Sequence, residues 1–206
     1  MGMIRVTVVY EAQLLRTALV EMLRSGGVTV ISSLPRWPLG PATGMCEPDV
    51  YVADAECLPS SETRPVATVA RCSGDASGVR PALLALVAGE RPGVLRRAHA
   101  AGASGFVDQN APKYRLLEAV HRLAKGERYI DDTLALGFLQ AAEMPLTRRE
   151  LSVLSLAADG APVAEIAATL FLTKGTVRNY MASVIRKVGA RNRVDAIRIA
   201  QGAGWT

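Results

Sequence analysis

The eighteen residues from Leu172 to Gly189 constrain this chain more than any other stretch. Read with a helical period, Val177, Met181, Val184, Ile185 and Val188 fall at i, i+4, i+7, i+8 and i+11 and make one apolar stripe. The remaining positions carry Lys174, Arg178, Asn179, Tyr180, Ser183, Arg186 and Lys187. One face can therefore pack on a small core while the other presents cations and hydrogen-bonding groups. Thr173 suits the start of such a helix and Gly189 its end. A solvated basic face is one reading of that surface and a polyanion-binding face the other. The neighbouring sequence decides between them.

Upstream, Leu146-Thr147-Arg148-Arg149-Glu150-Leu151 combines two helix-start signals: Thr147 with Glu150 makes a capping box, and Leu146 can staple against Leu151. The helix should run through Leu154, Ala157 and Ala158 and stop at Asp159-Gly160. Pro162 opens a second helix with Val163, Ile166, Ala167 and Leu170 inward, Phe171-Leu172 forms a turn, and Asn192 can cap a last helix with Val194 and Ile197 inward. Four short helices with a tight turn between the second and third make a helix-turn-helix arrangement.

Charge is placed in keeping with this. Of the net +5, residues 143 to 206 hold 9 Lys/Arg against 5 Asp/Glu, while residues 1 to 142 hold 15 against 14. A near-neutral first part joined to a basic tail fits a regulator with a polyanion-binding end. Cys46, Cys57 and Cys72 are odd in number and lack a C-x-x-C pair, so reduced thiols and no metal site are expected. No run of about 18 apolar residues and no secretory signal is visible, so a cytoplasmic protein without a membrane partner is expected.

The first part alternates strand and helix. Ile4 to Val9 reads as a buried strand, Leu14 to Leu23 as a helix stopped by Gly26-Gly27, and Val28 to Ser32 as a second strand. Pro35, Pro38, Gly40, Pro41 and Gly44 break up residues 34 to 48, where a crossover helix belongs. Asp49 to Asp54 is a third strand, followed by a weak helix near residues 63 to 72 and a joint over Ser73 to Arg80. Ala82 to Val87 is a fourth strand, with Leu and Ala leaving a helix open. Val94 to Ala101 is a short helix, Gly105 to Val107 a fifth strand, and Pro112 opens a helix through Leu123. The fold class is therefore α/β, a parallel five-stranded sheet domain followed by an all-α helix-turn-helix domain. In such sheets function sits at the carboxyl ends of the strands, which here carry Tyr10 and Glu11, Asp54, Val87 and Gln109.

Pro48-Asp49-Val50-Tyr51-Val52-Ala53-Asp54 and Ala101-Gly102-Ala103-Ser104-Gly105-Phe106 resemble the receiver domain of bacterial response regulators, a flavodoxin-like fold. The resemblance implies phosphoryl transfer to an aspartate at the position of Asp54. It also implies two acids after the first strand, a Thr or Ser after the fourth and a Lys after the fifth, where this chain has Tyr10 with Glu11, Val87 and Gln109. Glu11 and Asp54 could hold Mg²⁺ loosely, but the neutralising lysine and the hydroxyl are gone. Losing one charge-assisted hydrogen bond in such a site typically costs a few kcal/mol of transition-state stabilisation. The expectation is an atypical receiver whose switch does not depend on Asp54 phosphorylation, with a conventional phosphorelay regulator as the alternative and a weakly paired strand-end acid as the plain reading of Asp54. Asp54-Ala55-Glu56 lacks the second Asp and following Thr of aspartyl-nucleophile phosphatases, and no enzyme is expected.

Leu146-Thr147-x-x-Glu150, Glu165-Ile166-Ala167, Leu170-Phe171-Leu172, Thr176-Val177-x-Asn179 and Arg191-Asn192-Arg193 resemble the LuxR-type DNA-binding domain of the NarL/FixJ response regulators. The resemblance implies that the third helix enters the major groove of double-stranded DNA, with Lys174, Arg178, Asn179 and Ala182 at positions that face DNA. Arg178 is expected on a phosphate or guanine, Asn179 on a base edge, and Thr176, Ser183, Arg186 and Lys187 on phosphates. Tyr180 departs from the histidine common there, and Val177 is core or a partial groove contact. Residues 1–127 are expected to form the receiver, 128–145 a linker with a short helix, and 146–206 the DNA-binding domain. No cofactor is implied. A homodimer is expected on paired half-sites, with RNA polymerase and a small molecule at the receiver as candidate partners.

Overall fold

The computed structural model describes residues 3–37, 48–58, 81–89, 91–142 and 144–205. The expected helix near residues 63 to 72, the joint at 73 to 80 and most of the broken crossover at 34 to 48 lie outside the described residues, as do Cys46 and Cys72. The chain forms two compact units: residues 1–90 with 95–138, and residues 91–94 with 139–206.

The first unit is built on β-branched and leucine-rich segments that bury both faces. Strands β1 (Arg5–Val9), β2 (Thr29–Leu34), β3 (Val50–Asp54), β4 (Ala82–Val87), β5 (Gly105–Asp108) and β6 (Tyr129–Ile130) form a parallel sheet in the order β2-β1-β3-β4-β5-β6. Helices α1 (Gln13–Ser25) and α3 (Lys113–Ala124) cover one face; α2 (Pro92–Ala100) lies between β4 and β5 in the chain. Because side chains alternate along a strand, Val6, Val8, Val50, Val52, Leu84, Leu86 and Val107 meet Leu19, Leu23, Leu116, Val120 and Leu123 in one cluster. The alternate set, Val9, Tyr51, Ala53, Leu83, Ala85, Val87 and Phe106, is buried too. Burial on both faces is what central parallel strands require, and it settles β4 as a strand rather than a helix.

The sheet has a sixth strand beyond the five expected. Tyr129 and Ile130 pair with Gly105 and Phe106, and Asp131, 1 % exposed, accepts from Arg115 and from the backbone N–H and hydroxyl of Thr133. A short 3₁₀ turn (Asp132–Leu134) follows and leads into α4 (Ala135–Ala142), whose Phe138 packs edge-on against Phe106 at 4.7 Å. Residues expected to begin a linker at 128 thus belong to the first unit as far as Phe138. Gly105 is required by close approach: a Cβ there would lie 2.5 Å from Leu123 and 2.8 Å from Leu84.

The second unit contains α5 (Arg148–Ala158), α6 (Val163–Thr169), α7 (Lys174–Lys187) and α8 (Arg193–Gly202). The Thr147–Glu150 capping box is present, and the hydroxyl of Thr173 and the side chain of Asn192 cap α7 and α8. Leu146 packs with Leu154, Val184, Ala196 and Ala200, while Leu151 is half-buried outside that cluster. Ile166, Ala167, Val153, Ala157 and Val177 make a second cluster beneath the α6–α7 turn. Gly189, at φ 67, ends α7 in the left-handed conformation, and the Ala190 N–H donates back to the Ile185 carbonyl at 2.9 Å.

Glu150 ties this unit together. Its carboxylate is 4 % exposed and accepts from the Thr147 N–H at 2.8 Å, the Ser183 hydroxyl at 2.7 Å and the Lys187 ammonium at 2.8 Å. Burial by itself would raise its pKa, but the hydrogen bonds from Lys187, Thr147 and Ser183 outweigh it and lower the value from 4.5 to about 2.

A Gly105→Ala substitution should lower the stability of the first unit by about 1–3 kcal/mol, read as a drop in its thermal midpoint. Lys187→Met leaves the buried carboxylate without its cation, and should cost about 3 kcal/mol, the low end for a broken buried pair, because Lys187 is itself a third exposed. Glu150 has a depressed folded pKa, so its contribution is present above pH 4.5 and is lost as the pH falls from 4.5 through about 2. Acid unfolding of the second unit should lose part of its steepness in that window in Glu150→Gln, checked by circular dichroism against pH.

Candidate functional site

The outward face of α7 is set by which of its residues the core consumes. Val177 is 1 % exposed and Val184 is fully buried, and Met181, Ile185 and Val188 pack partly against the core. Val177 therefore belongs to the core and its side chain is not on the outward face. Tyr180 packs against the cluster around Val153 and Ile166, so its ring is half-withdrawn from that face. Lys174, Arg178, Asn179, Ala182 and Arg186 are exposed. Thr176 is half-buried, with its N–H and hydroxyl both engaged by the Thr173 hydroxyl at 3.1 and 2.9 Å.

Two residues expected on phosphates are already spoken for. Ser183 and Lys187 both hold Glu150, so they position α7 against α5 rather than standing free. Their use was hidden in the sequence because the partner lies more than thirty residues upstream; the capping-box glutamate, acceptor of a second set of donors, was the only available signal. By contrast, Lys174, Arg178 and Arg186 have no acidic partner among the described residues. Three uncompensated cations and an asparagine amide on one exposed helix face make a surface suited to a polyanion with hydrogen-bonding edges.

The expected pocket at the strand ends is also assembled, with altered chemistry. It sits beside β1 and β3, where the strand order reverses. Arg16 donates to the carbonyls of Tyr10 and Glu11 at 2.6 and 3.0 Å and so shapes the turn after β1. Tyr10 is 7 % exposed and its ring joins the core cluster. Burial, then the charges of Asp54 and Cys57, raise its pKa against a hydrogen bond from Gln109 that lowers it. The Gln109 amide also donates to Asp54 at 3.4 Å, and Asp54 accepts the Glu56 N–H at 3.0 Å. Burial raises the pKa of Asp54, the Glu56 N–H pulls it partly back, and the charges of Glu56 and Glu11 raise it further.

Cations in the neighbourhood go elsewhere: Arg36 pairs with Glu11 at 3.4 Å and Arg97 with Glu56 at 3.3 Å. Among the described residues Asp54 has no cationic partner, and Val87 is fully buried and offers no hydroxyl. The donor set does not fit Mg²⁺ either. Tyr10 presents a phenol where a second acid is needed, Glu11 faces Arg36, and among the described residues no group of three His, Cys, Asp or Glu side chains is placed to hold a metal ion. Among the described residues, no helix is long and apolar enough to cross a membrane.

Comparison with known proteins agrees with both halves. Residues 144–200 match the family model of the bacterial regulatory proteins, luxR family. Over 205 residues the chain is 53% identical to the response regulator RamR of Streptomyces coelicolor, covering 99% of this chain and 98% of that one. It is 36% identical to the uncharacterized transcriptional regulatory protein YvfU of Bacillus subtilis, over 77% of this chain and 76% of that one. Among solved structures it is similar to the response regulator ChrA of a heme-sensing two-component system, at 25% identity and TM-score 0.56 over the whole of both chains. RcsB of Salmonella typhimurium shares the fold at 18% identity, with TM-score 0.61 over 98% of this chain and 99% of that one. A parallel sheet with a strand-end aspartate, followed by a capped four-helix unit with a cationic third helix, is thus joined to full-length kinship: the chain belongs to the response regulators that couple a receiver to a LuxR-type helix-turn-helix DNA-binding domain.

Proposed function

We propose that this response regulator binds specific DNA sequences through the outward face of α7 and regulates transcription in the cytoplasm without needing a phosphoryl group on Asp54. On this reading the first unit, β6 included, acts as the control domain and residues 146–206 as the DNA reader. Lys174, Arg178, Asn179 and Ala182 enter the major groove, with Arg178 and Asn179 on base edges and Arg186 and Thr176 toward phosphates. The observation that carries the DNA contact is the exposure of Lys174, Arg178 and Arg186 with no acidic partner among the described residues. A module of this size buries a modest interface, so a homodimer on two half-sites is proposed.

Control without phosphate is supported by the bond from Gln109 to Asp54. Phosphoryl transfer demands neutralisation of charge at the phosphoryl oxygens, and a neutral amide spans Asp54 and Tyr10 where a cation would be needed. Glu11 and Glu56 add like charge that an incoming phosphoryl group would meet. A small molecule at this pocket, dimerisation or a protein partner takes over the signal. Conventional control through Asp54 is the competing reading, and the same experiment separates them.

After treatment with acetyl phosphate, phosphate-affinity gels should show no stoichiometric labelling, and Asp54→Asn should bind the operator as tightly as the parent chain. Labelling matched by a gain in affinity would establish the conventional mechanism. Because Asp54 has a raised folded pKa, its ionised form is disfavoured by folding at neutral pH, so Asp54→Asn should hold or raise the thermal midpoint of the first unit. Arg178→Ala should weaken operator binding by about 1–3 kcal/mol and relax selectivity at one base pair, measured by fluorescence anisotropy at fixed salt. Unchanged affinity would move the base contacts away from this helix face.

A further inference from the structure

We propose that Arg148 and Arg149, at the start of α5, form a second contact with the DNA backbone beside the groove occupied by α7; this rests on the DNA-reading role given to α7 above. The cations of residues 143 to 206 divide by what holds them. Lys187 is held by Glu150 at 2.8 Å, and Arg191 and Arg198 by Asp195 at 3.3 and 3.0 Å. Arg193 donates to the carbonyls of Ala157 and Ala161 at 3.3 and 2.9 Å. These four charges are consumed within the unit. Lys174, Arg178 and Arg186 on α7 are the uncommitted cations already assigned to DNA. The other two are Arg148 and Arg149, both exposed and without an acceptor for their guanidinium groups among the described residues.

Their position follows from the residue beside them. Glu150 bonds Ser183 at 2.7 Å and Lys187 at 2.8 Å, which seats the first turn of α5 against the carboxyl-terminal half of α7. Ser183 and Lys187 border the outward face at one flank, with Asn179 one turn before Ser183 on the same side. A helix lying in a major groove about 12 Å wide has a phosphate backbone along each side. An element pressed to the flank of that helix therefore meets phosphates and not base edges. Guanidinium groups match phosphate oxygens with paired hydrogen bonds. Bonds of this kind add affinity and fix docking without reading sequence.

The test is the salt dependence of binding by the full chain, using a duplex selected from random DNA and an unrelated duplex of equal length. Each phosphate that is no longer neutralised should lower the slope of log K against log salt by about 0.9. Arg148→Gln/Arg149→Gln should therefore reduce the slope by about 1.8 and weaken both duplexes by the same factor, whereas Arg148→Lys/Arg149→Lys should keep most of the slope. Both pairs leave Thr147 and Glu150 in place, so an unchanged thermal midpoint verifies the fold. If the Gln pair keeps the parent slope, or if the charge-retaining Lys pair falls as far as the Gln pair, the backbone contact is overturned. If the parent chain shows no salt-dependent affinity for the selected duplex, it is the DNA-reading role of α7 that fails.

Discussion

The DNA-binding half depends on one buried carboxylate. A charge withdrawn from water is tolerated only when it is paired and fully hydrogen-bonded, and Glu150 meets that condition with donors from two helices. Its bonds to Thr147 close the start of α5; its bonds to Ser183 and Lys187 fix the far end of α7. The apolar clusters around Leu154 and Ile166 supply burial but little orientation. The ion pair supplies the orientation, because only one rotation of α7 brings both Ser183 and Lys187 to the same carboxylate. That rotation leaves Lys174, Arg178, Asn179 and Arg186 pointing away from the core. If DNA docks on this face, as proposed, the surface is set before DNA arrives, which spares the complex the entropy of ordering it.

In the receiver the architecture and the chemistry have come apart. The fold rests on Val, Leu and Ala along β1, β3, β4 and β5. Of the strand-end residues, Tyr10 and Val87 are themselves buried, Tyr10 within that core, whereas Glu11 and Gln109 are exposed and can differ without disturbing it. A phenol, a buried valine and a neutral amide occupy the positions of an acid, a hydroxyl and a cation. Asp54 stands at the carboxyl end of the central strand β3, where it accepts the Glu56 N–H and is touched by Gln109. What remains is an aspartate touched by an amide and a backbone N–H and, among the described residues, by no fixed positive charge; the proposal of control without phosphate rests on that.

Much of this was legible in the sequence where the signals are local. The capping box of Thr147 and Glu150, the stripe through Val177 and Val184, the glycine stop at Gly189 and the replaced strand-end residues can all be read within a few positions. Other features depend on distant partners. The Ala-Leu run of β4 fits helix or strand until β3 and β5 flank it, and β6 is too short to have a period. Ser183 and Lys187 look like free phosphate contacts until Glu150, more than thirty residues upstream, is found to hold them. Tyr180 looks like an outward residue until the α6 core is placed against it. Leu146 similarly finds its partners at Leu154 and Val184 rather than at Leu151.

The most direct measurement is methylation protection at guanine N7, an atom presented in the major groove, on a duplex selected by the full chain and without any phosphoryl donor. Protected N7 positions are expected in two half-sites at the same protein concentration that saturates binding. Saturated binding with every N7 still reactive would contradict a groove-reading α7, and protection that appears only after acetyl phosphate is added would contradict control without phosphate.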